Sequence, residues 1–188
     1  LVGRRRALAQ QAGSEVDNMM AADLQLNQGE LSVLQPGSPA LMQRKSGLAQ
    51  ATLSRYGLTG DEPEAAYYMT PKLNEAWDKY TDKQQKLYHE TLTINTQAQV
   101  TAALGAELQR LAQNGIQTPD GSVVPMGDPR FAALAGREMT QHLDKSLTMF
   151  GGQAKADALK EIRTQLLGTY GQVPGVGDAL GFVQGGNP

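Results

Sequence analysis

The apolar positions of this chain fall into narrow seams at helical spacing. Leu8, Ala12, Val16, Met20 and Leu24 follow one another at i,i+4, and Leu31 and Leu34 continue the stripe after one slip, which predicts a helix over residues 4–34. Gly13 and Gly29 each weaken it by about 1 kcal/mol relative to Ala, so a break at either position is compatible with the pattern. Pro36-Gly37-Ser38-Pro39 is a turn. Ser38 then reads as an N-cap with Pro39 at the first helical position. The helix predicted over 39–56 turns Leu41, Met42, Leu48, Ala49, Leu53 and Tyr56 inward and stops at Gly57. A polar loop (58–63) and a short helical turn (64–68) follow.

Thr70-Pro71 repeats the start signal and opens the longest periodic segment, predicted as a helix over 71–113 with Asn114-Gly115 as its stop. Unbroken, it spans about 43 residues, or about 65 Å at 1.5 Å per residue. One heptad row reads Leu73, Tyr80, Leu87, Ile94, Thr101, Leu108; the other reads Trp77, Gln84, Thr91, Ala98, Gly105, Ala112. The second row is half small or polar, too weak for an autonomous two-stranded coiled coil. It suits a helix packed closely against others, including other copies of the chain. Residues 115–128 hold the one non-helical candidate: Thr118-Pro119-Asp120-Gly121 matches a type I turn between Ile116 and Val123-Val124, giving either a small β-hairpin or an ordered loop. Asp128-Pro129 is a third start signal, and Phe131, Ala135, Met139, Leu143, Leu147 and Phe150 form a clean i,i+4 series. With a second helix over about 153–167, burying Ala158, Leu159, Ile162 and Leu166, residues 129–168 form a helical hairpin. Residues 169–188 form a Gly-rich tail, read as a linker or as a short helix carrying the small-residue ladder Gly177, Gly181, Gly185.

Composition agrees with an all-α fold of long helices, in hairpins or a bundle. Ala (23), Leu (23) and Gln (19) outnumber Val (9) and Ile (3), and sheets prefer the residues in short supply. The seams are one or two residues wide, so the expectation is a chain whose core is completed by neighbouring molecules rather than a self-sufficient bundle. With no cysteine, disulfide scaffolds, thiolate metal sites and cysteine nucleophiles are excluded. No apolar run reaches the roughly 20 residues of a membrane-spanning helix. The chain opens on Leu1 instead of Met, as a processed product or a fragment would.

A net charge of −2 is far from that of a basic nucleic-acid binder. Arg4-Arg5-Arg6 is more simply a solvated helix start than a phosphate-contacting arm, and residues 61–90 carry seven acids against four bases, while no charge lies between Glu90 and Glu107. His89 and His142 stand alone, without metal-ligand spacing. There is no G-x-S-x-G elbow. Glu62, Glu64 and Glu75 are available for acid chemistry of the glycosidase kind, with nothing to single one out. The Gly175–Gly181 stretch echoes a dinucleotide loop but lacks the preceding strand. Tyr67, Tyr68, Trp77, Tyr80 and Tyr88 cluster within 22 residues; core packing is the commoner use than base stacking, and acidic neighbours oppose a nucleic-acid strand there. No catalytic, cofactor or metal residue is assigned, and no enzymatic activity or cofactor is expected.

The segment 3–13 (GRRRALAQQAG), the Gln/Ala run 96–113 and the Gly-rich end together resemble the internal virion (ejection) proteins of short-tailed, T7-like bacteriophages. The resemblance is one of texture over most of the chain, without a diagnostic motif. It implies a helical structural protein held inside the capsid and released into the host cell envelope and periplasm. There it would assemble with its own copies and with portal or ejection proteins into a conduit for the genome, touching phage DNA non-specifically. The alternative expectation is a helical adaptor or scaffold of a secretion system or other cellular assembly.

Overall fold

A computed structural model of the chain describes residues 2–173 and 175–183. The protein is 76% helix, with eight helices among the described residues and one two-stranded antiparallel hairpin. It divides into two compact units, residues 1–92 and 93–188. Each has its own hydrophobic core. The expectation that neighbours must complete the core is therefore corrected. Narrow seams suffice because several short elements converge on each one, so a stripe too thin to cover a partner helix alone is closed from several sides.

The first unit is built from α1 (Val2–Leu26), α2 (Gln28–Leu31), α3 (Pro39–Arg55), α4 (Pro63–Tyr68) and the first part of α5 (Thr70–Asn114). The single helix expected over 4–34 is two. It runs through Gly13, whose missing Cβ lets the backbone approach Tyr68 (an added Cβ would lie 3.0 Å from the Tyr68 carbonyl oxygen). It breaks instead at Asn27, which turns its side-chain amide back to the Asp23 carbonyl at 3.1 Å. Of the stripe, Ala12, Val16 and Met20 are buried while Leu8 and Leu24 are half-buried, and Ala9, outside it, is buried beside them. Pro39 opens α3, yet Ser38 makes no side-chain cap hydrogen bond. Gly57 closes that helix in the left-handed conformation at φ +63°. Leu58 N–H then donates to Leu53 O and Gly57 N–H to Ser54 O, both at 3.1 Å, while the Leu53 and Leu58 side chains are buried together, the full Schellman arrangement. Met42, expected inward, is exposed.

The second unit holds the rest of α5, β1 (Ile116–Gln117), β2 (Val123–Val124), α6 (Phe131–Ser146), α7 (Gly152–Tyr170) and α8 (Val176–Gly181). The long helix is continuous from Thr70 to Asn114. Its buried positions here are Val100, Leu104, Gly105, Leu108 and Leu111; the heptad rows are interrupted at Ile94 and Ala98, both exposed, while their other positions are buried or half-buried. The hairpin alternative is realised: Ile116 pairs with Val124 and Gln117 with Val123, and Gly121 N–H donates to Thr118 O at 2.9 Å. Asp128-Pro129 starts a turn and not the helix itself, because Asp128 Oδ1 accepts from the Arg130 N–H at 2.8 Å and α6 begins at Phe131. Within the Gly-rich tail, α8 buries Val176, Ala179 and Leu180 in the core. Gly185 of the expected ladder lies outside the described residues, and Gly181 faces open space. The glycine that admits α8 is on α6: a Cβ on Gly136 would meet Phe182 Cβ at 2.5 Å and the Ala179 carbonyl oxygen at 2.8 Å.

Candidate functional site

The densest polar constellation lies in the first unit. Asp23, on the edge of the buried face of α1, receives a two-pronged grip from Arg44 of α3: Nε to Oδ2 at 2.7 Å and Nη2 to Oδ1 at 2.9 Å. Tyr80 of α5 donates to Oδ2 at 2.8 Å and Asn27 to Oδ1 at 3.0 Å. Arg44 Nη1 reaches Glu30 of α2 at 3.0 Å. Burial alone raises the Asp23 carboxyl, but the bonds from Arg44 and Tyr80 more than offset this and hold it below the usual aspartate range. Burial, and next the bond to Asp23, push the Tyr80 phenol up. Every strong donor and acceptor at the centre is spent on a neighbour, so the cluster has the chemistry of a lock between four helices and offers no free nucleophile or base. Beside it, the fully buried Gln84 donates to the Leu31 and Leu34 carbonyls at 2.9 and 2.7 Å, supplying the acceptors at the end of α2 with donors. Tyr56 hydrogen-bonds Glu15, which also pairs with Arg55 at 2.9 Å.

The residues considered from sequence for acid chemistry are not gathered. Glu75 is exposed between Lys72 at 3.6 Å and Lys79 at 3.3 Å. Glu62 faces Arg5 at 3.8 Å, and Glu64 sits in the first turn of α4. His142 is exposed on α6 and His89 packs edge-on against Tyr88. Among the described residues no group of three or more His, Asp or Glu is placed to hold a metal ion. Arg4, Arg5 and Arg6 lie in the exposed opening turns of α1, with the Arg6 guanidinium 5.3 Å over the Tyr68 ring. Trp77 and Tyr80 stack at 4.8 Å inside the core, which removes both from any base-stacking role. In the second unit, hydrogen bonds from Thr118 and Ser122 hold the exposed Asp120 carboxyl at about 2; they belong to the hairpin turn. Gly175 is the N-cap and Val176–Gly181 the whole of α8, not a phosphate loop.

What the second unit leaves open is one face of α5. Ile94, Asn95, Ala98, Gln99, Ala102, Ala103 and Ala106 are all exposed, and the helix carries no charge between Glu90 and Glu107. Met149, 61% exposed, lies against Thr96 with its sulfur 3.7 Å from the hydroxyl. The uncharged run was visible in the sequence, but its exposed side was not. The Asp23–Arg44 pair had only a faint sequence signal, an acid set between Met20 and Leu24 on the apolar side of a helix. No helix among the described residues is long and apolar enough to cross a membrane. No protein-family model, curated protein or solved structure matches the chain.

Proposed function

We propose that this protein is a non-enzymatic structural component of a virion, which associates with copies of itself and with portal or other ejection proteins to form a genome-ejection conduit through the host cell envelope. The observation that carries the reading is the exposed, uncharged, Ala-rich face of α5 over residues 94–106. Bringing such a face against another helix strips no charge of its water, and alanine has no rotamer freedom to lose. Small side chains let helix axes approach to the short end of the usual 8–10 Å. The overall charge of −2 fits a wall that duplex DNA slides past, since a strongly basic wall would retain it.

Two measurements test the proposal. Sedimentation velocity of the purified chain over a wide concentration range is expected to show reversible association, with rings or tubes by electron microscopy. Mass spectrometry of virions from the phage that encodes it is expected to find the chain inside the capsid. A monodisperse monomer at the highest attainable concentration, together with absence from virions, overturns the reading. A gain of helicity on binding a cellular partner, with no self-association, points to the adaptor alternative.

A further inference from the structure

We propose that the groove between α7 and Val183 binds a single-chain amphiphile of the fatty-acid class, with its carboxylate on Arg163 and Lys160 and its chain on Leu159, Leu167 and Val183. Lys160, Arg163, Thr164 and Leu167 recur at the i,i+3 and i,i+4 spacing of one helix face, and they line the groove with Leu159 and Val183. Its volume of about 430 Å³ falls in the range of small-molecule sites, roughly 300–1,000 Å³.

An unpaired cation calls for the anion. Arg163 Nε is buried without a hydrogen-bond partner, the one cationic nitrogen so placed among the described residues. A buried donor normally has an acceptor, and the match for a guanidinium is a carboxylate, which takes two parallel N–H bonds. Among the described residues the second unit supplies none: its ion pairs join Glu107 to Arg110, Asp128 to Arg130 and Asp144 to Lys155. The two acids nearest in sequence face glutamines instead, Asp157 accepting from Gln153 at 2.8 Å and Glu161 from Gln165 at 3.0 Å. Thr164 spends its hydroxyl proton on the Lys160 carbonyl at 2.8 Å, so the two cations are the side-chain donors left in the lining. The apolar lining sets the rest of the ligand. Leu167 is 41% exposed and gains from being covered. An inorganic anion would leave it in water, and a neutral chain would leave the Arg163 donor stranded. A carboxylate on an alkyl chain satisfies both.

Titration calorimetry of the full chain with decanoate, held below its micelle-forming concentration, tests the site. Saturable binding is expected. Decanol, which lacks the charge, and inorganic phosphate, which lacks the chain, should each bind at least about tenfold more weakly. Arg163→Gln and Lys160→Glu should each weaken decanoate by at least about tenfold, the second at an exposed position where folding is not at stake. Arg137→Gln, the loss of one charge at an exposed position of α6, should leave binding unchanged. Absence of saturable binding overturns the proposal, and so does decanol or phosphate binding as tightly as decanoate. Decanoate binding undiminished in Lys160→Glu or in folded Arg163→Gln, or weakened as much by Arg137→Gln, overturns it as well.

Discussion

The two units reach a unique fold by opposite means. In the first, polar side chains stitch the helices: Asp23, Arg44, Tyr80, Asn27 and Glu30 join α1, α2, α3 and α5, and both fully buried polar residues among those described, Thr52 and Gln84, lie there. The second unit has an all-apolar core, and its register is set by glycines that let other groups come close: Gly136 beneath α8, Gly105 beneath the Tyr170 ring, and Gly115 against Val123 and Val124. A polar lock fails when a partner is removed, because the group left behind is stranded. A glycine contact fails when an atom is added. The two units should thus respond to opposite classes of substitution, and Trp77, the chain's single tryptophan, sits in the first core and reports on that unit separately.

The largest effect is expected from Gly136→Val. Its Cβ would fall 2.5 Å from Phe182 Cβ and 2.8 Å from a backbone oxygen, a clash that cannot be relieved without displacing α8. A loss of about 3 kcal/mol in the second unit follows. It would be seen as an early transition in denaturant followed by circular dichroism, while the Trp77 fluorescence midpoint stays put. A common shift in both signals would mean the cores are coupled and the contrast fails.

Asp23→Ala should do the reverse. It strands the Tyr80 hydroxyl and leaves Arg44 with only half-exposed Glu30 as its anion. About 2 kcal/mol is expected, below the full penalty for breaking a buried pair because Arg44 retains 19% exposure. Here the Trp77 midpoint should fall and the second-unit transition remain. The pH dependence carries the same signature. Because the folded Asp23 carboxyl titrates below its ordinary value of 3.8, its contribution is fully present above that pH and is lost as pH falls through the depressed folded value. Asp23→Asn should flatten the acid limb of the Trp77 curve below about pH 4. An unchanged limb would assign acid sensitivity to other carboxylates. Gln84→Leu is a milder break of the same kind: the side-chain volume is kept, but the Leu31 and Leu34 carbonyls lose their donor, at a cost of about 1–2 kcal/mol on the Trp77 transition.

The same contrast explains what could be read from the sequence. Helix stops were legible where chemistry is local: Gly57 and Gly115 take positive φ, and Pro119 with Gly121 dictates the hairpin turn. The break at Asn27 was not, since the bond that shapes it goes to Asp23, which is itself fixed by Arg44 twenty-one residues away. The burial of α8 was missed for the mirror reason. Residues 169–188 read as a linker or as a short helix carrying a small-residue ladder, and only Gly136, forty residues upstream of α8, opens the space that lets so short a helix sink in. Residues that act through a distant partner leave no periodic trace in either unit.

The smallest effect on stability should come from the exposed face of α5, where a polar or charged substitution touches neither lock nor glycine contact. Ala102→Glu is expected to stay within about 0.5 kcal/mol of the parent in both transitions, as surface changes do. Its consequence belongs to assembly: one carboxylate placed in the middle of the uncharged face must be dehydrated or repelled by its copy in any close helix pair. Self-association measured by sedimentation should drop by at least about tenfold. Gln172→Glu, an equal change of charge at an exposed position off α5, should leave association as it was. Should both variants weaken it equally, net charge and not this face would govern assembly. Should neither do so, any association runs through the other exposed apolar side chains, of which Leu26, Tyr67 and Val2 in the first unit are the most open.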